Sequence, residues 1–239
     1  WGFGSNDAGQ LSPSGAAIWA APAPLNFSGL PEPWSVTQLA GGRFHSLVLT
    51  AAGKVCSWGS NARGQLGRPV QLAASSPSVC FDLVDGFGLP VRAVAIAAGD
   101  EHSLAVSEDG ELYTWGRGSG ASGGTADVYS PIKPFASVPA ADGIFVRTVS
   151  GGGAHSLVTT ARGDVWSWGD NYRGQLGLGC AQAGTGPTTP APVTVAAQGV
   201  ISFWHEQPAV YPTHGVPLNI SAGCPACANA LNVADAYRT

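Results

Sequence analysis

The sequence predicts an all-β chain, a β-propeller of about four blades of antiparallel strands, on three observations. Three segments copy one another in register: GGRFHSLVLTAAGKVCSWG from Gly41, AGDEHSLAVSEDGELYTWG from Ala98 and GGGAHSLVTTARGDVWSWG from Gly151. The residues between the shared positions alternate with the two-residue period of strands and show no helical period. Glycine and proline, 34 and 18 of the 239 residues, recur at fixed places in the copies, as turn residues do. A unit of about fifty residues with three or four short strands cannot bury its faces alone, and stacking copies buries them on one another.

Each element follows from the copies in turn. Ahead of each histidine lies a short apolar strand, Val94-Ala95-Ile96-Ala97 in the second copy, ending in small residues and glycine. His45, His102 and His155, 57 and 53 residues apart, open the next strand. In His45-Ser46-Leu47-Val48-Leu49-Thr50 the histidine and both leucines share one face, and Ser46, Val48 and Thr50 take the other. A polar turn follows, clearest at Glu108-Asp109-Gly110, where glycine supplies a positive φ without steric cost. The return strands are short and rich in β-branched and aromatic residues, and end on Trp58, Trp115 and Trp168, each followed by glycine. A fourth pair, Trp1-Gly2, lies 57 residues before Trp58, so the chain reads as beginning at the tail of a repeat. After Trp-Gly comes a loop, Asn61-Ala62-Arg63-Gly64-Gln65-Leu66-Gly67, echoed at Asn171–Gly177 and Asn6–Leu11.

Together these residues resemble the regulator of chromosome condensation repeat: Gly-x-x-His-Ser-Leu, then Trp-Gly, then Asn-x-x-Gly-Gln-Leu-Gly. The cores fall at 1–11 (partial), 38–67, 94–116 and 147–177, with a degenerate copy at 220–233 that carries Ala226 in the histidine place. An insertion at 178–218 separates the last two, and all belong to a single partial propeller over 1–239. The resemblance implies a ring of seven blades, of which this chain supplies an incomplete part. An open arc would leave an apolar blade face bare at each end, so the remaining blades are expected from a further part of the polypeptide or from a partner. Among family functions, the resemblance permits guanine-nucleotide exchange on a Ran-like small GTPase.

Composition removes other classes. Charged residues make up 11% of the chain, the formal net charge is -4, and no run of Lys or Arg exceeds one residue. A nucleic-acid interface, which needs clustered cations, is not expected. No apolar stretch is long enough for a membrane span, and no signal peptide is visible. The five cysteines are an odd number for a disulfide framework, which favours free thiols and a reducing, intracellular compartment: cytoplasm or cilium first, organelle or nucleus next. The absence of methionine, even at position 1, reads as a processed chain or a fragment.

No catalytic constellation, cofactor motif or metal site emerges. The repeated histidines read as structural, each ring N–H bonded to a backbone carbonyl, and the tryptophans as blade packing. Cys224-Pro225-Ala226-Cys227, with His205 and His214 upstream, could be drawn as a zinc site. Its place at the strand entry of the degenerate copy favours small buried thiols instead. The candidate partner-binding residues are Phe203, Trp204, His205 and Tyr211, aromatic and polar groups in a Pro-rich excursion, since loops on a rigid scaffold carry function. The expectation is a non-enzymatic interaction scaffold or structural subunit of a larger protein assembly, with no nucleic acid and no membrane span.

Overall fold

The computed structural model describes residues 1–12, 15–25, 35–69, 76–118, 126–137, 143–178, 186–187 and 190–193. Its first sheet pairs β1 (Gly2–Ser5) with β2 (Ile18–Ala23). The second is a meander of β3 (Val36–Gly41), β4 (His45–Thr50), β5 (Val55–Gly59) and β6 (Ser76–Phe81). A small hairpin, β7 (Leu83–Val84) with β8 (Pro90–Val91), leads into the third: β9 (Ala93–Ala98), β10 (His102–Ser107), β11 (Leu112–Arg117) and β12 (Asp127–Ile132). A 3-10 turn at Pro134–Ser137 precedes the fourth: β13 (Val146–Gly151), β14 (His155–Thr160), β15 (Val165–Gly169) and β16 (Ala191–Pro192). All neighbours are antiparallel, so three copies are complete four-stranded blades and the chain is all-β. Among the described residues no helix is long and apolar enough to cross a membrane.

The hairpin glycines do what the sequence requires of them, with φ of 81° at Gly53, 76° at Gly110 and 86° at Gly163. Both faces of β10 are buried, because the third blade lies between the second and the fourth, whereas one face of β14 is only partly buried. Leu47, Leu49 and Val55 of the second blade pack on Ala93, Ile96, Ala105, Tyr113 and Trp115 of the third. The third blade's other face, Ala97, Leu104, Val106 and Leu112, meets Val146, Val158, Trp166 and Trp168 of the fourth. The core is thus a series of inter-blade seams rather than one centre.

Two expectations are corrected by register. Trp1-Gly2 does not hold the Trp-Gly place of its blade. Gly4 pairs with Trp19 as Gly59 pairs with Ser76, and Gly4 has φ 107° against 100° at Gly59. Phe3-Gly4 therefore stands where the other blades have Trp-Gly, and Trp1 falls in the place of Cys56. A two-residue difference in spacing to the Asn-x-x-Gly-Gln-Leu loop carried this signal. The second correction is a disulfide between Cys56 and Cys80. The two are directly opposed across β5 and β6 with Cα atoms 3.9 Å apart. An odd cysteine count says nothing about which strands meet, and the pairing appears only once the fourth strand is laid beside the third. Cys224 and Cys227 lie outside the described residues.

Closing a loop of 24 residues in sequence separation should lower the entropy of the unfolded chain. Cys80→Ser is expected to cost about 3 kcal/mol in urea unfolding, and thiol titration of the native protein should find Cys56 and Cys80 unreactive without reductant. An unchanged denaturation midpoint would remove the disulfide from the stability of the fold.

Candidate functional site

The repeated polar residues build one device, complete at the seam between the second and third blades and present in part at the other two. Ser103 Oγ and Trp115 Nε1 both donate to the backbone carbonyl of Gln65 in the preceding blade, at 2.8 and 2.9 Å. Ser46 Oγ and Trp58 Nε1 do the same to Gln10, at 2.8 and 2.7 Å. His45 Nε2 in turn lies 2.9 Å from Ser103 Oγ, and His102 Nε2 lies 2.9 Å from Ser156 Oγ. The hydroxyl proton of Ser103 is committed to Gln65, so the 2.9 Å contact requires His45 to carry its proton on Nε2. His45 and His102 are structural, but the partner of each is a serine of the next blade, not a carbonyl as expected. A carbonyl within its own blade could not tie one blade to the next.

The loop that presents the glutamine carbonyl is held by its own side chains. Asn61 Oδ1 accepts from the Leu66 amide at 3.0 Å, and Gln65 Oε1 from the Arg63 amide at 2.9 Å. Ser57 Oγ donates to the Leu66 carbonyl at 2.8 Å. Asn171, Gln175 and Ser167 repeat all three bonds in the fourth blade. Every motif position thus has a bonding duty, which leaves few of them for chemistry.

Burial decides the protonation of the imidazoles. Desolvation, then repulsion from His102, lowers the pKa of His45 to about 3. Desolvation, then His155, lowers that of His102 to about 4, against a weaker raising effect of Asp100. His45 Nδ1 is buried with no partner, beside Gly42, where a Cβ would come within 2.4 Å of it. A proton there would have no acceptor. His155, at the end of the described blades, has its pKa lowered by burial as well, with Asp170 opposing.

Around the axis, Gly41, Gly42, Arg43, Ala98, Gly99, Asp100 and Gly151–Gly153 line an open concavity of about 340 Å³. Backbone bonds run round it, Arg43 N to Asp100 O at 3.2 Å and Asp100 N to Gly153 O at 3.1 Å. On the periphery, Asp85 Oδ1 accepts from the amides of Phe87 and Leu89, both at 2.8 Å, and fixes the β7–β8 turn. That turn holds Phe87 at 90% exposure and Leu89 at 61%. Neither feature was singled out from the sequence. The turn had a signal, an aromatic between two glycines in Asp85-Gly86-Phe87-Gly88, whereas Arg43 and Asp100 stand at variable positions of the repeat. Phe203, Trp204, His205 and Tyr211 lie outside the described residues, and so do His214, 119–125 and the degenerate copy. Among the described residues no cluster of three or more His, Cys, Asp or Glu could hold a metal ion.

Comparison with known proteins matches these repeats. The Regulator of chromosome condensation (RCC1) repeat is found at 36–65, 93–120 and 146–175 by one profile, and at 52–106 and 162–201 by another. The human probable E3 ubiquitin-protein ligase HERC6 is 31% identical over 176 residues, 73% of this chain and 16% of that protein. The crystal structure of human WBSCR16 superposes with a TM-score of 0.70 at 29% identity, over 83% of this chain and 50% of that one. Prp20p of Saccharomyces cerevisiae, described with its binding to Gsp1p and histones, gives 0.63 at 26% identity, over 82% and 46%. The chain spans half or less of the length of each of these relatives.

Two measurements check the seam device. Both buried histidines are neutral when folded and gain a proton near pH 6.5 when unfolded, so the unfolded state binds more protons below that value. Stability contributed this way is complete above about pH 6.5 and falls as pH drops toward 4, by about 1.4 kcal/mol per pH unit for each histidine. Urea midpoints that stay flat from pH 7 to 4.5 would contradict it. Ser103→Ala, which strips His45 and the Gln65 carbonyl of a partner in one step, is expected to cost about 2 kcal/mol in the same assay.

Proposed function

Because the chain belongs to the regulator of chromosome condensation (RCC1) repeat family, we propose that it is a non-enzymatic interaction scaffold, a structural part of a larger assembly that presents loops to protein partners. The observation that carries this reading is the division of labour among the side chains. The repeated His, Ser, Trp, Asn and Gln residues are spent on bonds within and between blades. Large apolar groups stand free on a turn that is itself rigid, Phe87 above all. A pre-ordered aromatic loses little freedom on binding and is a favoured anchor in protein interfaces. Phe203, Trp204, His205 and Tyr211 are a second proposed contact, from their composition and their place in a long excursion between repeats.

A second reading, guanine-nucleotide exchange on a Ran-like GTPase, draws on the likeness to Prp20p, whose description names Gsp1p. The two part in one assay. With a Ran-type GTPase loaded with fluorescent nucleotide, the scaffold leaves release at its intrinsic rate, and a dose-dependent acceleration would replace it with the exchange reading. Within the scaffold reading, Phe87→Ser should weaken recovery of partners in proximity labelling while changing stability by no more than about 0.5 kcal/mol. Identical partner profiles for the wild type, Phe87→Ser and Trp204→Ala would discard both proposed contacts.

A further inference from the structure

The second blade carries a covalent bond where its copies have none. Cys56 in β5 and Cys80 in β6 are directly opposed and joined as a disulfide. At the same distance from its histidine, the third blade has Tyr113 in the place of Cys56, with the Lys133 ammonium 5.3 Å from the centre of its ring. The fourth has Trp166 there, opposite Pro192. Both of those blades form four-stranded sheets without sulfur at this position, so the ladder of the outermost strand does not require the bond. The two sulfurs also differ in access. Cys56 is fully buried with Val48 and Trp58, and Trp58 Nε1 donates to the Gln10 carbonyl of the first blade. Cys80, on the outermost strand, is only partly buried.

Apart from the disulfide, β6 is lightly fastened. It pairs with β5 alone among the described residues, and its register breaks between Ser57 and Gly59. Pro77 has no N–H to give to a ladder. Val79 is 41% exposed. Just past the strand, Lys54 and Asp82 pair at 2.7 Å, but both side chains are more than a third exposed, where solvent screening leaves such a pair weak. Phe81, edge-on to Trp115 with ring centres 5.8 Å apart, is its anchor on the third blade.

We propose that the Cys56–Cys80 disulfide is a redox-operated latch on β6. Closed, it locks the strand on β5; reduced, it lets β6 leave while β3, β4 and β5 stay paired. The co-reactant is a dithiol. One of its thiolates attacks Cys80 Sγ, the S–S bond breaks, and Cys56 leaves with the electron pair and takes up a proton. The second thiolate then attacks the reductant's own sulfur in the mixed disulfide, a new S–S bond closes within the reductant, and Cys80 leaves and is protonated in turn. Two electrons and two protons pass to the chain, and the reductant is left as a disulfide. Access directs the attack to Cys80, because exchange needs a sulfur that the thiolate can reach. The latch stands whether or not the Phe87 turn binds a partner.

The test takes the oxidised full chain through buffers of reduced and oxidised dithiothreitol. Thiols at Cys56 and Cys80 are read by alkylation and mass spectrometry, and strand opening by amide exchange. Both thiols should appear together, at a rate proportional to the reductant and unchanged by urea below the unfolding transition, and should disappear when the oxidised buffer is restored. In the reduced chain the amides of β6 should exchange at least about tenfold faster, with those of β9, β10 and β11 unchanged. A double variant, Cys56→Ala with Cys80→Ala, should show the fast β6 exchange in either buffer. Reduction that accelerates with urea in step with global unfolding would make the bond a permanent staple and overturn the proposal. So would β6 exchange that is the same in both redox states, or a loss of protection that spreads through all the blades on reduction.

Discussion

The seam between the second and third blades hangs on a single backbone carbonyl, that of Gln65 in the Asn-x-x-Gly-Gln-Leu loop. It accepts the serine hydroxyl and the tryptophan N–H of the following blade, and the same serine receives the histidine of its own seam. One acceptor thereby positions the strand that holds the serine, the strand that holds the tryptophan and the imidazole that faces them. The bonds are buried, so an unmade one would leave a desolvated polar group rather than a hydrated one, and that asymmetry is what makes the register specific. Apolar packing at the seams supplies most of the favourable burial, but leucine on valine would tolerate a slip that these bonds do not.

The glycines near the axis follow from the same constraint. Gly99 lacks a side chain because a Cβ there would lie 2.0 Å from its own blade's His102 and 2.4 Å from the Gly152 carbonyl of the next. The imidazole must lie flat over the glycine to reach across the seam, and the backbones must close on one another at the small radius of the ring. Burial of that imidazole keeps it neutral, so the bonding pattern and the low pKa values have one cause. Where the repeat is intact, its polar side chains are committed to bonds within and between blades.

Much of this was readable beforehand. The strands, the hairpin glycines and the status of the histidines as framework followed from repetition in register. Reading fell short where a contact joins residues that no local rule relates. The serine partner of His45 is 58 positions away and the carbonyl partner of Trp115 is 50 positions away, each in another blade. Cys56 and Cys80 are separated by a stretch whose length does not determine which strand returns to lie beside which. Phe3 was passed over for Trp1 because tryptophan is the commoner residue at that position, and only the pairing of Gly4 with Trp19 places it.

The sequence by itself determined the class of fold, the unit that repeats and the positions of its turns, because these rest on side-chain period and on glycine conformations that are local properties of the chain. Tertiary structure alone decided which polar group meets which across a seam and which cysteines join. Those depend on how one blade is rotated against the next, and that angle is a sum over many contacts that no single motif encodes.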